Sequence, residues 1–155
     1  MLSFLLVLLA VIAVIGGGQL GLFSGTAPTD LGLHEGMLKA PGPDSTNVVS
    51  SYAKKQIHTS YNEIEPIRFS GDGKIAFDKL THIVAAMDGA VIILSEPNYL
   101  YAQYRTPILK FIDDVEFVLD ESSNTIQMRS ASRIGRKDFG VNRKRLETVR
   151  ERFKG

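Results

Sequence analysis

The stretch FIDDVEFVLDESSNTIQMRSASR, residues 111–133, decides the fold. It contains two runs in which apolar and polar residues alternate, Phe111–Leu119 and Thr125–Arg133, separated by the polar turn Asp120–Asn124. Side chains of a β-strand alternate between the two faces of its sheet. The stretch therefore predicts an antiparallel strand pair with one largely apolar face and one charged face.

Further elements follow on either side of this pair. Upstream, Ala90–Ser95 and Tyr99–Thr106 are separated by a Glu-Pro-Asn turn and predict a hairpin, and Ile64–Phe69 predicts an earlier short strand. Lys74–Met87 and Val141–Phe153 carry apolar residues at spacings of three and four, which indicates amphipathic helices. The order strand, helix, four strands, helix predicts an α+β fold, an antiparallel sheet of about five strands backed by two helices.

The start of the last helix combines several polar residues. Asp138 is a plausible cap, and Asn142 shares the apolar face of Leu146, one turn later. The basic run Arg143–Arg145 is predicted to lie on the solvated side of the helix.

The charged sheet face is the candidate functional site. Alternation places Asp114 and Glu116 on it, opposite arginines of the neighbouring strands. Asp113 instead shares the apolar face and requires a partner there, because burying an unpaired charge is very costly. The candidate ligand- or partner-binding residues are Tyr101, Arg105, Asp113, Asp114, Glu116, Arg129, Arg133 and Asn142.

Three interpretations of this face remain open at the sequence level. The first is a structural ion lattice, shielded by the Gly-, Pro- and Ser-rich segment 24–60. The second is a groove for an anionic ligand or partner. The third is acid–base chemistry by Asp113 or Asp114 with Arg129, as in a hydrolase, although adjacent strand residues point to opposite faces. No residue is assigned as catalytic, and no metal or cofactor is predicted.

The N-terminal segment has a different character. Residues 1–23 contain no charged residue, and their apolar run predicts a transmembrane helix that acts as an uncleaved anchor. A cleaved signal peptide is the alternative, but its basic leading region is missing. The expected organisation is an anchor at residues 1–23, an extended segment at 24–60 packed on the domain, and an α+β domain at 61–155.

Composition excludes several classes of function. The formal net charge is +1, and the excess of +7 from Arg129 onward is offset by −6 in the rest of the chain, so we expect no nucleic-acid partner. The chain has no cysteine, which excludes disulfides and thiolate chemistry. The three histidines, His34, His58 and His82, lack the spacing of a metal site.

Four motifs together make the chain resemble the family called domain of unknown function 1499. They are LGLHEGML at Leu31–Leu38, NVVSS at Asn47–Ser51, FIDDVEF at Phe111–Phe117 and RSASRIGRKDFGVNRKR at Arg129–Arg145, and the resemblance covers roughly Leu31–Phe153. The resemblance implies a bacterial or plastid protein, often with an N-terminal export or membrane segment, and no established activity.

The chain departs from the pattern of that family at one place. The family usually has two cysteines where this chain has Gly42 and Val48, and a proline in place of Thr46. A function that depends on this thiol pair is therefore absent here.

We accordingly expect a membrane-anchored accessory or binding domain, with the C-terminal domain in the periplasm. Its expected partners are the lipid bilayer, through residues 2–23, and a protein of a larger membrane complex. The alternatives are a carrier of a lipid or anionic metabolite, with its cavity between sheet and helices, and the hydrolase described above.

Overall fold

The computed structural model describes residues 2–56 and 59–155; Met1, Ile57 and His58 lie outside the described residues, so the expectation for His58 is not tested. The helices are α1 (Leu2–Gln19), α2 (Ala53–Gln56), α3 (Gly73–Ala85) and α4 (Val141–Lys154). The strands are β1 (Leu33–His34), β2 (Met37–Leu38), β3 (Val48–Ser50), β4 (Ile67–Arg68), β5 (Ala90–Ser95), β6 (Tyr99–Arg105), β7 (Ile112–Asp120) and β8 (Thr125–Ser132).

The main sheet is antiparallel and has six strands. Its order is β3-β8-β7-β6-β5, and β4 pairs with the part of β8 that β3 leaves free. The predicted α+β class is confirmed, but the predicted count of about five strands is too low. The additional strand comes from segment 24–60, where Val48–Ser50 pairs with Arg129–Ala131, and where β1 and β2 form a separate two-stranded hairpin.

The hydrophobic core lies between one face of the sheet and the helices α3 and α4. Burial of apolar area is its main source of stability. Its largest side chains with no exposure or almost none are Phe77, Leu80, Phe117, Met128 and Leu146. The apolar faces of the two helices therefore pack against the apolar positions of β7 and β8, as the sequence predicts.

The connection through α3 sets the position of the hairpin β5–β6. Asp72 begins the helix by accepting hydrogen bonds from the backbone N–H groups of Lys74 (2.8 Å) and Ile75 (3.0 Å). At the other end Gly89 has a φ of +75°, and a Cβ added there would lie 2.6 Å from the carbonyl oxygen of Arg105. Glycine is required at this turn because both the backbone conformation and the close approach exclude a side chain.

The N-terminal helix α1 projects from the domain and is fixed to it at one end. Its apolar side chains are exposed from Phe4 to Ile15, whereas Gln19 donates a hydrogen bond to the carbonyl oxygen of Ile108 at 2.9 Å. Among the described residues, no helix combines the length and the apolar character that crossing a bilayer requires. The transmembrane helix predicted for residues 1–23 is therefore not found; the helix ends at Gln19, after three glycines.

Candidate functional site

The sheet face turned away from α3 and α4 is called the polar face below. It carries Tyr99, Tyr101, Asp114, Glu116, Arg129 and Arg133. The register places Glu116 of β7 between Tyr101 of β6 and Arg129 of β8, as strand alternation predicts. Segment 24–39 crosses this face and covers it.

The first ion pair of the polar face joins Arg129 to Glu116. The distance from Arg129 Nη1 to Glu116 Oε2 is 3.0 Å, and the two side chains are 6 % and 0 % exposed. Glu116 Oε1 also accepts hydrogen bonds from the backbone N–H of Gly32 (2.7 Å) and from the hydroxyl of Tyr99 (2.9 Å). Arg129 Nε donates to the carbonyl oxygen of Lys39 (3.1 Å). The covering segment thus closes over the pair and supplies one further hydrogen bond to each charged group.

The second ion pair is bidentate. Arg133 donates from Nε to Asp114 Oδ2 and from Nη2 to Asp114 Oδ1, both at 2.8 Å. The hydroxyl of Tyr101 donates to Asp114 Oδ1 at 2.6 Å and accepts from Gln103 Nε2 at 2.9 Å. Both charged side chains are almost completely buried, at 6 % and 3 % exposure. Each charge of the pair is therefore balanced by the other, and an external ion could bind either residue only by breaking the pair.

The tyrosines and Arg133 are held in their ordinary protonation states. Burial, followed by the nearby carboxylates of Glu116 and Asp114, raises the pKa of Tyr99 and of Tyr101. The hydrogen bonds to Asp114 raise the pKa of Arg133. Both hydroxyls therefore remain donors to the carboxylates at neutral pH, and the polar face is a neutral set of two cations and two anions.

The structure does not bring all the predicted site residues together. Arg105 lies at the exposed end of β6 and makes no side-chain ion pair or hydrogen bond in the described part of the chain. Asp113 lies on the opposite face, beneath α4, and Asn142 is a residue of α4 that contacts that face. The predicted set is thus divided between two faces of the sheet and one exposed position.

The partner that Asp113 requires is Arg145 of α4. The distance from Arg145 Nη2 to Asp113 Oδ2 is 2.5 Å, and the guanidinium carbon lies 4.7 Å from the centre of the Tyr104 ring. Arg143 in turn donates to the carbonyl oxygens of Tyr61 (2.7 Å) and Glu63 (2.6 Å). The prediction of a solvated run Arg143–Arg145 is therefore wrong for its two arginines, because their long stems let the charged ends reach protein acceptors.

Asn142 connects α4 to β8 and to Asn47, the residue before β3. Its Oδ1 accepts hydrogen bonds from the Ser130 hydroxyl (2.5 Å) and from Arg145 Nη1 (2.7 Å). Its Nδ2 donates to the Ser132 hydroxyl and to the carbonyl oxygen of Asn47, each at 3.0 Å. The inward position predicted for Asn142 is confirmed, and each of its polar atoms has a partner. Its geometry is that of a structural connection.

Asp138 stabilises the start of α4, as predicted, from two residues before the N-cap Gly140. Its carboxylate accepts hydrogen bonds from the backbone N–H groups of Gly140 (3.1 Å) and Asn142 (2.9 Å) and from the hydroxyl of Tyr61. Burial raises the pKa of Asp138, but these hydrogen bonds lower it by more, and the net pKa lies below the ordinary 3.8.

Replacing Asp138 with asparagine is expected to lower the free energy of unfolding by about 1 kcal/mol at neutral pH, because the amide nitrogen cannot accept the hydrogen bonds of the oxygen that it replaces. The folded pKa of Asp138 is depressed, so its contribution is complete above the unfolded value of 3.8 and is lost as pH falls through the folded pKa. Urea unfolding at several pH values should show the difference between wild type and Asp138→Asn shrink below about pH 4. Asp88→Asn, at an exposed position, is the control; a difference that grows on acidification would contradict the prediction.

A groove lies beside the polar face, between the covering segment and the hairpin β5–β6. Its volume is about 530 Å³, and its lining includes Leu31, Leu33, Leu94, Tyr99 and Tyr101. The carrier alternative expects a cavity between sheet and helices, but that space holds the packed side chains of the core. The groove is instead an open cleft on the opposite face.

The described residues contain no group of three His, Asp or Glu side chains that could hold a metal ion. The exposed His82 ring makes a hydrogen bond with the carbonyl oxygen of Asp78, one turn earlier in α3. His34 lies far from it along the chain, in the hairpin β1–β2.

Sequence reasoning missed several partners of the charged side chains. Tyr99 is not among the predicted site residues, although it lies two residues before Tyr101 in the same strand and therefore shares its face. The backbone groups of Gly32 and Lys39, which bind Glu116 and Arg129, carry no side-chain signal that a sequence pattern could reveal.

The family of the chain follows from its sequence. Residues 40–153 match the family described as "Protein of unknown function (DUF1499)". The chain belongs to this family. The match covers more than half of the chain and includes both ion pairs of the polar face and the Asp113–Arg145 pair, so the resemblance suggested by the motifs is confirmed. No curated protein and no solved structure matches this DUF1499 chain significantly.

The structure shows which contacts the motif NVVSS makes in this DUF1499 domain. Asn47 Nδ2 donates to the carbonyl oxygens of Ser132 (3.3 Å) and Gly135 (2.5 Å), and the Ser51 hydroxyl donates to Gln127 Oε1 (2.6 Å). The motif NVVSS therefore fastens β3 and its neighbouring residues to β8 and to the loop that follows it. The position of Val48, a cysteine in the usual pattern, is buried in β3.

Proposed function

We propose that this DUF1499 protein is an accessory domain that works at a membrane, held there by α1, and that it binds a protein partner without transforming a substrate. The observation that carries the membrane part is α1 itself. It contains no charged residue, and its large apolar side chains from Phe4 to Ile15 are exposed.

Lipid is the environment that fits α1 best. A helix that packs on a protein surface shows an apolar stripe and a polar stripe, whereas α1 is apolar on all sides over Phe4–Ile15. A protein groove would cover one side only, but hydrocarbon covers every side. Moving one leucine, valine or isoleucine side chain from water into such surroundings contributes about 1.5–3 kcal/mol. The sum over α1 supports stable association with a bilayer.

The ion pairs support a role without chemistry. Catalysis by a carboxylate requires room for a substrate and a free lone pair or proton. Asp114 and Glu116 have both oxygens engaged, and Asp113 is paired with Arg145 on the opposite face. The hydrolase alternative combines Asp113 or Asp114 with Arg129, yet Arg129 is paired with Glu116. Binding of an anion by Arg129 or Arg133 would likewise require breaking a buried ion pair.

The proposed compartment is the periplasm. Between residues 24 and 43 the only basic residue is Lys39, against Asp30 and Glu35, and basic residues near a membrane segment retain it on the cytoplasmic side. The export segments expected from the family resemblance agree with this orientation. Protease added to intact spheroplasts should digest the domain; complete protection until the membrane is opened would contradict the assignment.

Replacing Leu9 and Ile12 together with lysine is expected to abolish membrane association. Each substitution removes an apolar side chain whose transfer into lipid contributes about 1.5–3 kcal/mol and adds a charge that lipid excludes, so the two together reduce the bound-to-free ratio by more than about a hundredfold. The measurement is flotation of the full chain with lipid vesicles in a density gradient, which separates bound protein from aggregates. The matched control is Leu9→Ala/Ile12→Ala, which keeps the helix uncharged and should still float. Wild-type protein that remains at the bottom of the gradient would refute the proposal.

A further inference from the structure

We propose that the two loops beside the end of α1 rest on anionic lipid headgroups of the same bilayer. These loops, residues 106–111 between β6 and β7 and residues 133–140 between β8 and α4, are called the foot surface below. This proposal rests on the proposed contact of α1 with lipid. It adds which surface of the domain faces the bilayer and which headgroups that surface contacts.

The end of α1 is in close contact with the first loop. Besides the hydrogen bond from Gln19 to Ile108, the backbone at Gly18 approaches that of Leu109 so closely that an added Cβ would lie 2.8 Å from the Leu109 Cα. Any side chain at residue 18 would push the helix away. The position of the first loop beside the membrane segment is therefore set by backbone contact.

The second loop meets the chain shortly after α1. Gly25 has a φ of +65°, and a Cβ added there would lie 2.7 Å from the Cβ of Arg133 and 3.0 Å from Cγ1 of Ile134. The rings of Phe23 and Phe111, with centres 5.6 Å apart, connect the same segment to the end of the first loop. Both loops thus flank the point at which α1 leaves the domain.

The foot surface combines exposed apolar and basic side chains. Its exposed apolar residues are Ile108, Ile134 and Phe139. Its basic residues without an ion pair among the described residues are the exposed Arg136 and Lys137 and the half-buried Lys110. Arg133 is neutralised by Asp114, and the loop carboxylate Asp138 is buried. An exposed acid, Asp44, precedes Thr46, whose backbone pairs with this loop, so the surface keeps a positive excess. Apolar side chains surrounded by Lys and Arg are the chemistry that anionic membrane surfaces attract.

Phe139 independently indicates that the foot surface contacts the membrane. Its side chain is 94 % exposed, and its φ of +53° lies in the left-handed region, which is unfavourable for a bulky residue. The hydrogen bonds from Gly140 and Asn142 to Asp138 hold the backbone on either side. The loop therefore presents an aromatic ring outward at an energetic cost, and phenylalanine is one of the residues that interfacial segments bury at the boundary between headgroups and acyl chains.

The absence of tryptophan from the chain allows a direct test. Phe139→Trp places a single fluorescent reporter on the foot surface. Ile75→Trp is the control; Ile75 is 72 % exposed and lies in the first turn of α3, at the end of that helix opposite Gly89 and Arg105. Each full-length variant is added to vesicles of phosphatidylcholine and phosphatidylglycerol with brominated acyl chains, and flotation and tryptophan quenching are measured on the same samples.

We expect both variants to float and Phe139→Trp to be quenched at least about twofold more than Ile75→Trp, because contact with the bilayer is confined to the foot surface. Adding Lys110→Glu, Arg136→Glu and Lys137→Glu should at least halve that quenching, since each basic residue near an anionic surface contributes about 1 kcal/mol. Floating variants with equal quenching, or quenching unchanged by the three glutamates, would overturn the foot surface but leave the role of α1 intact. Failure of both variants to float would overturn the two proposals together.

Discussion

Glu116→Leu is expected to lower the free energy of unfolding by about 3–5 kcal/mol, because it leaves a buried charge without its partner. The Arg129 guanidinium, 6 % exposed, would lose its carboxylate. The backbone N–H of Gly32 and the hydroxyl of Tyr99 would lose their acceptor as well. Typical domains are stable by about 5–15 kcal/mol, so this substitution would remove a large share of the total free energy of unfolding.

The measurement for Glu116→Leu is urea unfolding of the full chain in mild detergent, followed by circular dichroism. Arg105→Ala is the matched control: it removes a charged residue of the original candidate set that is exposed at the end of β6. A surface change of this kind should alter the free energy of unfolding by less than about 0.5 kcal/mol. If Glu116→Leu and Arg105→Ala had similar small effects, the ion pair would not hold the polar face together.

Arg145→Ala is expected to be destabilising to a similar extent, about 3–5 kcal/mol. The substitution leaves the Asp113 carboxylate buried under α4 without a counter-charge. It also removes the hydrogen bonds of Nη1 to the Ser130 hydroxyl (2.8 Å) and to Asn142 Oδ1 (2.7 Å), and the contact with the Tyr104 ring.

The neighbouring residue provides the control for Arg145. Lys144→Ala removes a positive charge from the same turn of α4, but Lys144 is exposed. Its effect on the free energy of unfolding should be within about 0.5 kcal/mol. The same urea unfolding experiment compares the two variants. Equal effects of Arg145→Ala and Lys144→Ala would mean that Asp113 is satisfied by other groups.

The central sheet was predictable because its strands carry a strong period of two. In β7, Val115 and Phe117 alternate with Asp114 and Glu116, and a shift of one residue would turn the charged set toward α3 and α4. The same alternation identified Asp113 as a charge on the apolar side that needed a partner. It did not identify the partner, since Arg145 is distant in sequence and its helix position suggested a solvated side chain.

The strands of segment 24–60 were not predictable in this way. Strand β3 has three residues, Val48–Ser50, all buried, and so shows no alternation. Its place in the sheet is determined by pairing with β8 and by Asn62, whose Nδ2 donates to the carbonyl oxygen of Val48 at 2.7 Å. The sequence suggested that segment 24–60 shields the polar face, but not the contacts that close it, because these are made by backbone groups of Gly32 and Lys39.

The buried ion pair of Glu116 and Arg129 stabilises the folded domain of this DUF1499 protein. A double-mutant cycle on these two residues tests this role most directly. The cycle compares the free energies of unfolding of wild type, Glu116→Leu, Arg129→Met and the double variant in urea. If the two charges serve each other, the double variant should be more stable than the sum of the single effects predicts, by about 1.5–3 kcal/mol, because no buried charge remains. Single effects that simply add would contradict a structural ion pair at the centre of the polar face.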